Sequence, residues 1–128
     1  SSGETTGKKV AVVGFCMGGQ LALYAACTNP KIGAAVDYYG IHPNVHPDIK
    51  KLHCPLMGFF AERDEYVNSA MSSMLDLQLA EAGKVHKFVT YEGAHHAFFN
   101  SDRPEVYDAA AAEDSWQQMV RFFHRQLG

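Results

Sequence analysis

The chain has no excess of positive charge: 11 lysines and arginines stand against 14 aspartates and glutamates, for a formal net charge of -3. That balance supplies no basic footprint for a polyanion, so nucleic acid is not an expected partner. Long apolar runs are also missing; none approaches the ~20 residues needed to cross a bilayer, so no membrane partner is expected. Cysteine is scarce, with three residues at unrelated spacings. An odd, unpatterned set excludes a disulfide framework and suits reduced thiols in the cytoplasm. Cys27 and Cys54 read as small packing residues. The seven histidines include His42, His46 and His53 in one segment, but no H-E-x-x-H or C-x-x-C spacing accompanies them. No metal and no cofactor are therefore expected. Repeats, low-complexity tracts and linkers are lacking as well. Residues 1–8 show neither the apolar core of a secretory signal nor a transit pattern, and are expected to be a flexible lead-in to a single domain at 9–128.

What is present is an ordinary globular composition, 47% hydrophobic and 20% charged. Residues 9–15, with Val10, Val12 and Val13, read as a buried strand. The helix formers Leu21, Ala22, Leu23, Ala25 and Ala26 follow directly. A second strand is expected over 33–40, a proline- and histidine-bearing loop over 41–54, and a third strand over 55–61. The spacing of Ala70, Met71, Met74, Leu75, Leu77 and Leu79 predicts an amphipathic helix over about 67–82, stopped by Gly83. Residues 85–91 read as a fourth strand. Pro104 is expected to open a last helix that runs through Trp116, Met119 and Phe122. Apolar strands mostly separated by helices imply an α/β fold of about four mainly parallel strands flanked by helices. Right-handed crossovers bring the carboxyl ends of such strands to one edge, where ligands bind.

Three chemically suggestive segments fall at those ends. Gly14-Phe15-Cys16-Met17-Gly18-Gly19 places a cysteine where a strand turns sharply into a helix, with glycines on both sides. This is the G-x-(Ser/Cys)-x-G pattern of a nucleophile elbow. The N–H of Met17, at the helix start, can stabilise a developing oxyanion, and the helix dipole favours a thiolate. A glycine-bordered cysteine packed at an ordinary turn is the alternative. Asp64 ends the third strand between Glu62 and Glu65, and reads either as a turn or capping residue or as the carboxylate that orients a base. His95 and His96 occupy the loop after the fourth strand, either as surface residues or as a base for the thiol. Cys, Asp and His arrive in the chain order of α/β-hydrolases.

These residues, together with Gly93-Ala94-His95-His96-Ala97-Phe98-Phe99-Asn100, resemble the dienelactone hydrolase family, and the likeness extends over nearly all of the chain after Gly7. The resemblance implies that Cys16 is the nucleophile, Asp64 the orienting acid and His96, which matches the family's His-x-Phe histidine, the base. His95 stands where the family often has glycine and is expected to face substrate, with His95 as base the contrary assignment. Phe98, with Phe99, reads either as an apolar substrate wall or as core packing, and Arg103 either as a contact for a substrate carboxylate, where the family's earlier arginine is replaced by Asn100, or as an exposed arginine before a helix.

The likeness covers only the carboxyl-terminal half of the family fold, since the strands that precede the elbow strand in the family are not in this sequence. Two expectations follow. The strand at 9–15 becomes an edge strand to be covered by a second copy of the chain, by an N-terminal piece or by a local rearrangement, and a homodimer covering it is the leading expectation. The second oxyanion donor is unaccounted for. The resulting expectation is a cysteine-dependent hydrolase of small esters or lactones. The alternatives are a catalytically weak binding or structural module and a redox-responsive thiol protein.

Overall fold

The computed structural model describes residues 9–42 and 45–127, so the lead-in expected at 1–8 lies outside the described residues. Strand β1 (Val10–Phe15) runs into helix α1 (Met17–Thr28), followed by β2 (Ile32–Tyr38), β3 (Leu56–Ala61), α2 (Ser69–Glu81), β4 (His86–Tyr91) and α3 (Ala109–Leu127). The four strands form one sheet in the order β1-β2-β3-β4, and every pairing is parallel. The four parallel strands and their flanking helices are those expected from the apolar runs.

Alternation along β2 divides the core. Ala34, Val36 and Tyr38 face one side with Met57 and Phe59 of β3, against Ala111, Met119 and Phe122 of α3. Ala35 faces the other with Leu56, against Leu23 and Ala26 of α1 and Leu75 and Leu79 of α2. A strand buried on both faces needs apolar residues at every position, and all six residues of β3 are buried. β1 differs. Its outer neighbour is missing among the described residues, and Val10, Val13 and Phe15 are exposed.

The connection from β2 to β3 is the expected loop, with one short 3-10 turn (Ile49–Lys51) capped by the Asp48 side chain. Two helix readings need correction. The second helix buries only the narrow stripe Ser72, Leu75 and Leu79; Met74 and Leu77 are more than half exposed. The last helix begins at Ala109 rather than at Pro104. Residues 101–107 stay in turns closed by Val106 N–H and Tyr107 N–H on the Arg103 carbonyl. The Asp108 carboxylate then accepts from the Ala111 amide at 3.0 Å, which is the service of an N-cap.

Candidate active site

The turn from β1 into α1 puts Cys16 at φ 58°, ψ -131°, a backbone conformation that L side chains rarely adopt. Its amide donates to the Tyr38 carbonyl (3.0 Å), and its carbonyl accepts from Gly19 (2.9 Å). Strain is held because the neighbouring backbone closes around it. A Cβ on Gly14 would sit 1.9 Å from the Gly18 carbonyl oxygen, and one on Gly19 would sit 2.1 Å from Asp37 Oδ1. Gly18 itself faces open space, so the sharp turn depends on Gly14 and Gly19. Met17 is the first residue of α1, so its N–H has no use within the helix.

Cys16 lines a cavity of about 150 Å³ with Met17, Tyr39, Gly40, Tyr66 and His96. Burial pushes its thiol above the ordinary value, the Asp64 carboxylate adds to that, and Arg103 opposes it. Burial and the Asp64 charge thus act against the thiolate that the helix dipole is expected to favour.

His96 lines the same cavity. His96 Nδ1 lies 2.6 Å from Asp64 Oδ2, and the Asp64 side chain is fully buried. Asp64 Oδ1 accepts from the amides of Tyr66 (2.7 Å) and Val67 (2.8 Å), so both carboxylate oxygens are engaged. A carboxylate accepting at Nδ1 selects the tautomer in which Nδ1 carries the proton and Nε2 is free to take another. The ring is fixed between Tyr39 and Tyr66, each with its centroid 5.0 Å away. Burial raises the Tyr39 phenol, which stays neutral.

Of the two adjacent histidines, His96 is the one paired with Asp64. His95 is exposed and lines a neighbouring hollow of about 160 Å³ with Arg63, Arg103 and Val106. Arg103 also binds Glu105 Oε2 at 3.1 Å. Glu62, one of the two flanking carboxylates, accepts instead from the Gly93 amide. Phe98 is fully buried among Tyr39, Tyr38 and Tyr91, in the core rather than on a cavity wall. No cluster of metal-ligating side chains occurs among the described residues.

Two residues at the site were not singled out from the sequence. Tyr66 covers the imidazole; the signal was its place two residues after Asp64, where an Asx turn draws its amide to the carboxylate. Asp37 is the other. It is buried under the elbow, with Oδ1 accepting from Gly40 N–H at 2.8 Å and Oδ2 without a partner among the described residues. Desolvation holds its carboxyl well above the usual range. An acidic residue inside the apolar run Ala34-Ala35-Val36-Asp37-Tyr38 was the readable sign.

Comparison with known proteins shows the family and the fold. The pattern described as "Dienelactone hydrolase family" matches residues 1–127. "Protein usf" of Aquifex pyrophilus is 37% identical over 124 residues, which cover 96% of this chain and 54% of that protein. A "Putative carboxymethylenebutenolidase" of Saccharolobus solfataricus is 36% identical over 118 residues, covering 92% of this chain and 45% of that protein. A solved structure from Klebsiella pneumoniae, described as a "Putative Dienelactone Hydrolase", superposes with a TM-score of 0.82 at 28% identity, over 89% of this chain and 51% of the other. The chain thus spans about half the length of the curated relatives it matches. With an elbow cysteine, a paired Asp and His in the right order and a matching parallel sheet, this chain belongs to the dienelactone hydrolase family.

Proposed function

We propose that the chain acts as a cysteine-dependent hydrolase of small esters or lactones, with Cys16, His96 and Asp64 as its triad. The observation that carries this reading is the 2.6 Å Asp64–His96 contact on the wall of the cavity that holds the elbow cysteine. The Cys16 thiol gives its proton to His96 Nε2 as the sulfur bonds to the substrate carbonyl carbon. Asp64 stabilises the imidazolium, and the Met17 N–H donates to the carbonyl oxygen as it becomes an oxyanion. Collapse breaks the carbon–oxygen bond to the leaving group, which takes the proton from His96. Water, deprotonated by His96, then attacks the thioester, and the acid leaves as the thiol is restored. None of these steps calls for a cofactor.

The Cys16 proton must move during attack, because its thiol is held above the ordinary value. His95 and Arg103 border the adjacent hollow on the leaving-group side, and Phe98 supports the cavity wall from behind through Tyr39. The free thiols suit the reducing cytoplasm, and no described helix is long and apolar enough to cross a membrane. A homodimer that covers the edge of β1, exposed among the described residues, completes this reading.

The test is hydrolysis of p-nitrophenyl acetate by the purified chain beside Cys16→Ala and His96→Ala. Steady turnover lost in both variants is the expected result. A rate equal to that of the variants overturns the reading. One observation favours a second reading, a fold that binds without turnover: among the described residues β1 has no partner on its outer side. A single burst of p-nitrophenol without steady release is its signature.

A further inference from the structure

An apolar groove of about 580 Å³ lies beside the thiol cavity, and no step of the proposed reaction uses it. It runs between the segment after β2, with Ile41 and Ile49, and the flank of α2 that carries Met71, Met74 and Leu75. Ile41 and His42 line both this groove and the cavity around Cys16, so the two spaces meet there. One wall is tied to the helix that begins at the elbow: Gln20, itself 5% exposed, donates from Nε2 to the Val45 carbonyl at 3.3 Å. Met74 is 56% exposed although α2 has its own buried stripe one residue away at Leu75. Unbranched thioether side chains at the lip of a groove adapt to apolar guests of different shape.

The chemistry decides which part of a substrate belongs there. In the reaction above, the leaving-group oxygen must take its proton from His96, so that half of the ester lies against His96 and Tyr66. The acyl half stays on the Cys16 sulfur and takes the other end of the cavity. The groove is reached past Ile41 and His42, and neither His96 nor Tyr66 is part of its wall. Beyond His96 and Tyr66 the neighbouring hollow is instead polar, with Arg63, His95 and Arg103. Resting on the hydrolase reading, we propose that the groove receives the acyl chain, and that the substrates are esters of medium-length, unbranched aliphatic acids rather than of the shortest ones.

Two measurements test this together. In the first, kcat/KM is compared for p-nitrophenyl acetate and hexanoate, with ethyl and hexyl acetate as the alcohol-side series. Partial burial of four further methylenes is expected to raise kcat/KM about tenfold from acetate to hexanoate. Ala70→Trp, which fills the groove from an exposed position, is expected to remove that rise, while Ala80→Trp on the far face of α2 keeps it. In the second, methionine methyl resonances are followed during titration with hexanamide. Shifts at Met71 and Met74, but not at Met119 in the core under α3, are expected. Turnover of acetate with a flat acyl series overturns the inference and leaves the hydrolase reading standing. So does a preference that follows the alcohol chain instead. If no ester is turned over, the hydrolase reading fails, and the methyl shifts still decide whether the groove holds an aliphatic chain: localised shifts support it, and their absence overturns it.

Discussion

β3 and β1 end at the same edge of the sheet, yet all six residues of β3 are buried while Val10, Val13 and Phe15 of β1 are exposed. The difference extends to the chemistry at each end. After β3, Asp64 has both oxygens engaged by three donors, and His96 is held between two tyrosines. After β1, the elbow holds Cys16 in a strained turn beside one amide, Met17, with no strand on its outer side among the described residues. The Asp64–His96 half of the site is held from within, since its neighbours β2, β3 and β4 all pack around it. The Cys16 half is shaped locally by glycine contacts and borders an edge that is open among the described residues.

The largest effect comes from breaking the finished half. Asp64→Asn keeps an acceptor for the Tyr66 and Val67 amides but turns an NH2 toward His96, which forces the wrong tautomer. A fall in kcat of about 10³–10⁴-fold with little change in Tm is expected. Steady-state kinetics beside a thermal melt check it, and a loss of Tm that parallels the loss of rate would mean that Asp64 is mainly a structural turn residue.

The elbow supplies the next contrast, between two glycines four residues apart. Gly14→Ala drives a methyl into the Gly18 carbonyl and is expected to destabilise by about 3 kcal/mol. Gly18→Ala meets nothing and lies within a helix, so it is expected to stabilise by about 0.5–1 kcal/mol. Urea denaturation of both separates a turn fixed by close contact from one that merely prefers glycine. Equal effects would show that the elbow is not packed in this way.

Asp37 gives a pH-dependent test beneath the same turn. Its carboxyl is held protonated by burial, so the native state binds that proton more tightly than the unfolded chain. The stability it contributes is fully present below the unfolded value of about 4, and is lost as pH rises through the raised native value, by up to ~1.4 kcal/mol per pH unit. Asp37→Asn keeps an acceptor for Gly40 N–H and removes the proton, so its stability is expected to exceed that of the parent near neutrality and to lack this slope. Melts between acid and neutral pH distinguish the two; parallel curves would assign the slope to other groups.

The smallest effect on the folded chain is expected at the open edge. Val13→Lys places a charge on an exposed position of β1, leaves Tm nearly unchanged and weakens self-association about tenfold. Sedimentation reads it, and unchanged or absent association would overturn the homodimer across 9–15.

Much of this was legible in the residues themselves. Strands flanked by helices followed from apolar runs bounded by glycine and polar residues, and Cys16, Asp64 and His96 stood at strand ends. Less was legible where a side chain's environment depends on distant elements. Met74 and Leu77 match a helical period, but the sheet meets α2 only along Ser72, Leu75 and Leu79. Phe98 adjoins the histidine loop in sequence and yet packs inward, because β2 and β4 offer Tyr38 and Tyr91 as ring partners. Pro104 was compatible with a helix start, but Asp108 holds the carboxylate that caps one.

By itself the sequence determined the α/β alternation, the elbow and the order of Cys16, Asp64 and His96 at strand ends, because these rest on local periodicity and on residue types the turn requires. The tertiary structure alone decided that the Asp64 carboxylate is shared between His96 and two backbone amides, that Asp37 lies unexposed below the elbow, and that a groove opens past Ile41. Those outcomes depend on distances between segments far apart in the chain, and on how much water packing leaves around each charge.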